Sequence, residues 1–257
     1  MKKILILCTR FPYPSDGGDK LRVVSNINYL KKKKFNIELC YIGYEKININ
    51  KLKIKNIDKI YQFNIVKNNL FFIIFNFFFS KLPLQINIYY KKKIENELRL
   101  KFKNKKYTFI IFHLLRSACY HGAFDTKNKY LDVSDSLILN YKRFYRKSKI
   151  KIFSIFFLIE AIKIKKFYLQ NYKYFKKIFY ITNFDLKYDF RIMKLKTSNK
   201  FKLLNRNKLK TKKLDLYDSK SKNFLFIANF KSISNLVATW NNLVVEKELK
   251  KKNKKIN

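Results

Sequence analysis

The sequence predicts an α/β fold: a mainly parallel sheet with flanking helices, followed by part of a second domain. Three observations predict it. Short apolar runs such as "KILILC" (3–8) and "YTFIIFH" (107–113) read as strands buried on both faces, the mark of a parallel sheet. Longer stretches between such runs carry helical periodicity. The two kinds alternate along the chain, as βαβ units require.

The first run opens into "CTRFPYPSDGGDKLR" (8–22), which holds two of the chain's three prolines and two of its four glycines. From Asp19 onward Leu21, Val24, Ile27 and Leu30 recur every third residue, with Val23 on the same face. This predicts an amphipathic helix ending in "KKKK" (31–34), where cations suit the helix C-terminus. "FNIELCYIG" (35–43) alternates and predicts a second strand, and 57–65 a third. A helix is expected over 84–102, strands over 107–113 and 129–135, and a long helix over 152–175. A strand over 177–182 and a helix opening at 183–190 complete a Rossmann-like series. "NNLFFIIFNFFFSKLPL" (68–84) is the most apolar segment. It falls short of the roughly 18–20 apolar residues a spanning helix needs and predicts a buried or interfacial helix.

Residues 206–222 lack apolar periodicity and read as a linker after a first domain, 1–205. A strand (223–230) follows, then Leu236, Trp240, Leu243 and Val244 at helical spacing with Asn235 as N-cap. Together, 223–246 predict the first strand–helix unit of an incomplete second domain, since a lone strand and helix cannot cover a sheet. Residues 247–257 read as a disordered basic tail.

Apolar residues make up 47% of the 257, enough for a sizeable core. Lys and Arg number 59 against 17 acids, a net charge of +42. Such a charge ordinarily suggests nucleic acid or anionic lipid. Here the lysines lie on helices, strands and tail alike, and no discrete basic domain stands out. The excess of Lys, Asn, Ile, Phe and Tyr is what an AT-rich genome imposes. No nucleic-acid partner is therefore expected, with a basic nucleic-acid-binding protein kept as a rival; weak attraction to an anionic membrane surface is expected. Cys8, Cys40 and Cys119 form no CxxC pair; the first two sit in apolar runs and read as small buried hydrophobes, as suits a reducing cytoplasm. "MKKILILCTRFPYP" superficially resembles a signal peptide, but its short apolar run leads straight to Thr9 and Arg10 and predicts a first strand. The expected location is cytoplasmic, or peripheral on the inner face of the plasma membrane. No metal-ligand cluster is visible.

A loop after the first strand of a parallel sheet lies at the sheet's carboxyl edge, where ligands bind. Glycine there lets backbone N–H groups approach an anion, and the following helix offers its positive end. "SDGGDK" meets that requirement; a tight turn would use the same residues. The loop is neither GxGxxG nor a P-loop, so a dinucleotide site is not supported.

At this point "KILILCTRFPYPSDGGDKLRVVSNINYL" resembles the start of GT-B-fold retaining glycosyltransferases, the group-4 family. "LPLQINIYYKKKIENELR" is similar to the mid-domain helix of its exopolysaccharide-synthesis branch. "YTFIIFHLLRSACY" resembles a strand-to-loop segment with His and Arg, and "KYLDVSDSLILNYKR" an Asp-x-x-Asp-Ser stretch. "IEAIKIKKFYLQNYKYFKKIFYITNFDLKYD" and "NFLFIANFKSISNLVATWNNLV" resemble the long helix with the strand after it and the start of the second domain. The resemblance covers about residues 2–245 and rests on the order of these segments.

The resemblance implies hexosyl transfer from a nucleotide sugar to a glycan or lipid-linked acceptor, with no cofactor or metal. It places Gly17 and Gly18, with Asp16 and Asp19 beside them, near the donor diphosphate and the acceptor. His113, after a buried strand, would be catalytic by orienting the sugar near the reacting carbon; otherwise it is a strand-end histidine bonded to backbone. Neither His113 nor His121 has an obvious carboxylate partner in the sequence. Arg116 is an anion-clamp candidate or a surface arginine. Lys20 and Arg22 would meet a charged acceptor or simply be solvated. Asp132 and Asp135 would bind acceptor hydroxyls, and Asp135 could equally cap the helix that holds Tyr141. Glu160 reads as structural, paired with Lys163. In the family the leaving-group site lies largely in the second domain, so here it would be incomplete. Ala228 and "KLLNRNK" (202–208) also depart from the family pattern. The chain alone is therefore expected to be inactive. The alternative is a non-catalytic half of a split enzyme, membrane-associated or bound to a complementary donor-domain chain.

Overall fold

The computed structural model of the chain describes residues 2–49, 54–66, 69–148, 150–195 and 200–203. The expected linker, second-domain unit and basic tail lie outside the described residues.

Seven parallel strands form one sheet, β1 (Lys3–Cys8), β2 (Asn36–Gly43), β3 (Lys59–Asn64), β4 (Phe109–His113), β5 (Lys129–Ser134), β6 (Lys177–Tyr180) and β7 (Phe201–Leu203). Their order is β3-β2-β1-β4-β5-β6-β7, so the fold is α/β and Rossmann-like. "KILILC" is an interior strand between β2 and β4. Five of its six residues are buried, because a strand with a neighbour on each edge and packing on each face has nowhere to expose a side chain. β2 reads as an alternating strand in sequence but is buried almost throughout. Its Glu38 is held inside by the Tyr107 hydroxyl, 2.5 Å, and by Lys3, 3.4 Å.

The helices are α1 (Gly18–Lys32), α2 (Leu70–Phe79), α3 (Leu84–Tyr89), α4 (Lys92–Phe102), α5 (Leu137–Lys147), α6 (Lys151–Asn171) and α7 (Asn183–Ile192), with 3₁₀ segments Leu115–Ala123 and Tyr172–Tyr174. One face of the sheet carries the larger core, where Leu5, Leu7, Ile110, Phe112, Leu131 and Ile178 meet residues from α3 to α7. Val23 and Ile27 of α1 pack on the other face, against Ile4, Ile6, Ile37 and Leu39. Leu21 departs from the expected apolar stripe and is 51% exposed, while Arg22 is buried in its place.

The helix expected over 84–102 is broken into α3 and α4 at Tyr90 and Lys91. The Tyr120 hydroxyl explains the break: it donates to the Tyr89 carbonyl at 2.6 Å and accepts from the Lys91 N–H at 3.0 Å. A side chain thus satisfies backbone groups at the break. α6 ends at Asn171 and passes into a 3₁₀ turn, slightly before the expected limit of 175. α2 is a helix as expected, but it is mostly exposed rather than buried.

α1 ends in a Schellman motif built without glycine. Lys34 N–H donates to Lys31 O at 2.9 Å, and Phe35 N–H to Leu30 O at 3.2 Å. Lys34 sits at φ 61°, where a side chain is strained. Lys34→Gly is expected to raise the unfolding free energy by about 1 kcal/mol, measured as a shift of the urea midpoint at unchanged slope.

A buried polar chain joins α5, β6, α6 and α7. Ser136, the N-cap of α5, accepts from Leu139 N–H at 3.0 Å and donates to Asp189 Oδ1. The Tyr180 hydroxyl donates to Asp189 Oδ2 at 2.8 Å and meets the Tyr168 hydroxyl at 2.8 Å. Ser136, not Asp135, therefore caps α5. Burial raises the Asp189 carboxyl to about 6, against the pull of the Ser136 and Tyr180 hydrogen bonds and with help from Asp185. The unfolded carboxyl titrates near 3.8, so between the two values the folded chain holds more protons. This group's contribution to stability is then fully present below about pH 4 and falls as pH rises to about 6, by up to about 3 kcal/mol. Urea midpoints taken across that window should fall for the wild type relative to Asp189→Asn.

Candidate functional site

The strand order reverses direction between β1 and β4, and in open α/β sheets ligands bind at the carboxyl ends of the strands beside such a switch point. Into this edge run the loop after β1, the 3₁₀ segment after β4 and the turn after β5. The register sets Leu7 against Phe112 and His113 against Asp132. The two strand-end candidates are therefore neighbours, although 19 residues separate them in sequence.

His113 Nδ1 donates to Asp132 Oδ2 at 3.2 Å, which supplies the carboxylate partner the sequence does not reveal. Both side chains are 2% exposed. Asp132 is also held by Arg22 from α1, whose Nε donates to the same oxygen at 2.7 Å while the guanidinium meets Oδ1. Two charged groups removed from water survive only as such a pair. With its oxygens facing the guanidinium, Asp132 offers the ring nitrogen an acceptor. The other ring nitrogen, Nε2, is buried without a hydrogen-bond partner among the described residues. Asp132, with both oxygens engaged, positions His113 and α1.

Arg116 is the second residue of the 3₁₀ segment. Its Nε donates to Thr9 Oγ1 at 2.5 Å, at the end of β1, and its guanidinium lies 4.7 Å from the Tyr89 ring centroid. One terminal nitrogen, Nη2, is buried without a hydrogen-bond partner among the described residues. Burial lowers its pKa, opposed by Tyr89 and Asp19 and helped by Arg10. It is thus a half-buried cation over an aromatic ring rather than a freely solvated arginine.

Leu114, between His113 and this segment, adopts φ 68° and ψ 148°, and Ser134 at the end of β5 adopts φ 70°. Such conformations cost about 1–3 kcal/mol each and gather at functional sites. Leu114 is held there by its N–H, which donates to Asp132 O at 2.7 Å.

Gly17 is the N-cap of α1 at φ −141°, extended backbone open to any residue, and no glycine of the chain has positive φ. No turn that needs a left-handed residue therefore requires the pair. A Cβ on Gly17 would come 3.1 Å from Asp19 Oδ1, and one on Gly18 would meet nothing within 4 Å. Packing within the chain does not demand glycine at 18. What the pair does is leave the first N–H groups of α1 uncovered, with no side-chain cap. Asp19 accepts from Arg10 at 3.1 Å and Asp16 pairs with Lys20 at 2.9 Å. Asp135 stands at the exposed rim after β5. Desolvation of its carboxyl and the nearby Asp185 raise its pKa, which Arg22 opposes.

The structure thus joins His113, Asp132 and Arg22 into one cluster and brings Arg116 to Thr9 at the end of β1. Thr9 and Tyr89 escape sequence reasoning. Arg22, expected to meet a charged acceptor or be solvated, is instead buried against Asp132. Glu160 is structural, yet its partner is the Leu84 N–H, 2.9 Å away, while Lys163 reaches the Phe77 carbonyl. Among the described residues no group of three or more His, Cys, Asp or Glu is placed to hold a metal.

No family model matches the chain. A curated protein described as an uncharacterized 44.6 kDa protein in the cps region of Klebsiella pneumoniae is 25% identical over 174 residues, 64% of this chain and 42% of that protein. The DNA-directed RNA polymerase subunit beta of Neospora caninum is 32% identical over 149 residues, 52% of this chain and 12% of that protein. The chain thus spans less than half the length of either. Among solved structures, Phytolacca americana UGT2 complexed with UDP-2fluoro-glucose and pterostilbene is 11% identical, with a TM-score of 0.44 over 79% of this chain and 52% of that one. A UDP-glucosyltransferase from Polygonum tinctorium is 6% identical, with a TM-score of 0.44 over 79% of this chain and 51% of that one. At this level of likeness, the α/β architecture rests on the chain's own sheet.

Proposed function

We propose that the chain is the acceptor-side part of a GT-B glycosyltransferase and that the carboxyl edge of its sheet takes a phosphorylated sugar. The observation that carries this reading is that two buried polar groups, His113 Nε2 and Arg116 Nη2, near the uncapped start of α1, have no hydrogen-bond partner among the described residues. Buried polar groups are ordinarily satisfied, and a ligand that accepts from Arg116 and donates to His113 would satisfy both. Diphosphate and sugar hydroxyl are those two chemistries in one molecule. Arg116 and the N–H groups of Gly18 and its neighbours would hold negative charge as it develops on a leaving diphosphate. His113, its Nδ1 proton fixed by Asp132, would accept from a hydroxyl through Nε2. Asp16, Asp19 and Asp135 lie at the rim, where an acceptor would approach. The order of family-like segments supports a nucleotide sugar as donor, a glycan or lipid-linked molecule as acceptor, and a donor domain that completes the site.

UDP-glucose titrated into the full chain, followed by saturation-transfer NMR, tests this. Arg116→Gln is expected to weaken binding at least about tenfold, the worth of a charge-assisted hydrogen bond. Gly18→Ala should keep or raise the melting temperature, since alanine favours the helix by up to about 1 kcal/mol, yet weaken binding. Wild-type affinity in both variants, or no contact between UDP-glucose and the wild type, overturns the reading.

A further inference from the structure

We infer that α2 and the tip of the α5–α6 hairpin form one surface that docks on an anionic phospholipid bilayer. The surface does not depend on the carboxyl edge of the sheet or on sugar transfer.

α2, "LFFIIFNFFF", has no charged residue. Instead of burying its phenylalanines it exposes them: Phe71 by 85%, Phe75 by 60%, Phe78 by 68% and Phe79 by 74%. The helix is nonetheless fixed in place. Asn69 caps it by accepting from Phe72 N–H at 2.8 Å. Its one well-buried ring, Phe77, lies 4.5 Å from Phe156 of α6. This contact seats α2 beside the first turns of α6, where Ile152, Phe153 and Ile155 are exposed as well. Phe144 at the end of α5 continues the patch and packs 5.4 Å from Phe157. Exposed apolar surface of this extent marks an interaction site.

Charge selects the partner. Lys91 lies over the Phe72 ring at 5.0 Å. Arg143, Arg146, Lys147 and Lys151 surround the hairpin tip. α2, α5 and the first nine residues of α6 contain no acid. A second copy would set cations against cations on a chain of net charge +42. An anionic bilayer matches both properties, with headgroups for the basic rim and acyl chains for the rings. No helix among the described residues is long and apolar enough to cross a membrane, so the surface lies on the bilayer.

Sedimentation of the full chain with vesicles tests this, using phosphatidylcholine alone or with about 30% phosphatidylglycerol, an anionic fraction large enough to attract a basic patch. The wild type should partition to the anionic vesicles at least about tenfold more strongly. Phe75→Ser with Phe78→Ser should reduce that partition at least about tenfold. Lys32→Gln with Lys33→Gln, at the end of α1, should change it by less than about twofold. Should the phenylalanine variant fail to fold by circular dichroism, Ile152→Ser with Ile155→Ser must give the same loss. Equal binding by the phenylalanine variant, an equal loss in the lysine control, or equal binding to neutral vesicles overturns the inference. So does self-association that the phenylalanine variant abolishes when no vesicle binding is seen.

Discussion

Asp132→Ala is expected to destabilise the fold by about 3–5 kcal/mol, the cost of breaking a buried ion pair. The carboxylate is 2% exposed and takes two contacts from Arg22 and one from His113. Its removal leaves the guanidinium in a site with little water and no compensating charge. Arg22→Met should cost a similar amount for the converse reason, a carboxylate left alone at the end of β5. The two losses should not add. Arg22→Met combined with Asp132→Leu removes both charges and should recover most of the stability, because a well-packed apolar pair often matches a buried ionic one. Urea unfolding of the three variants at neutral pH closes this cycle. Additive losses would mean that the two side chains do not interact in solution.

Phe112→Ala should cost about 3–5 kcal/mol, as deletion of a fully buried ring does. Phe112 lies on β4 with no exposed surface. Its ring meets Phe124 at 5.7 Å and Phe175 at 5.4 Å, both edge-on. One ring thus links the central strand to the segment after it and to the approach to β6. Phe71→Ala, the same change on the exposed face of α2, should stay within about 0.5 kcal/mol. Chemical denaturation of the two variants separates them cleanly. Similar losses would place Phe71 in a core.

The strands and their alternation with helices are legible in the sequence because interior parallel strands have to be apolar on both sides. "KILILC" and "YTFIIFH" have no other economical fate in water. The misses share a cause, a partner distant in sequence. Arg22 reads as a solvated cation until β5 brings Asp132 to it across 110 residues. The break at Tyr90 depends on the Tyr120 hydroxyl, and nothing in the local pattern announces it. His113 acquires its carboxylate from strand register, which periodicity does not specify. Local caps are harder to place than to foresee: the turn after β5 holds Asp135 and Ser136 side by side, and the serine takes the role because its hydroxyl also reaches the buried Asp189. The glycine pair is legible as a loop before a helix, yet only its backbone angles show that no left-handed turn position requires it.

The place of β1 in the sheet bears on how the chain is made. One edge of β1 pairs with β2 soon after both emerge from the ribosome, but the other waits for β4, about a hundred residues later. At roughly 5–20 residues per second, that gap lasts on the order of 5–20 s. For that interval a strand apolar on both faces offers a bare edge to any extended peptide nearby, so the nascent protein is most open to mispairing before β4 has emerged.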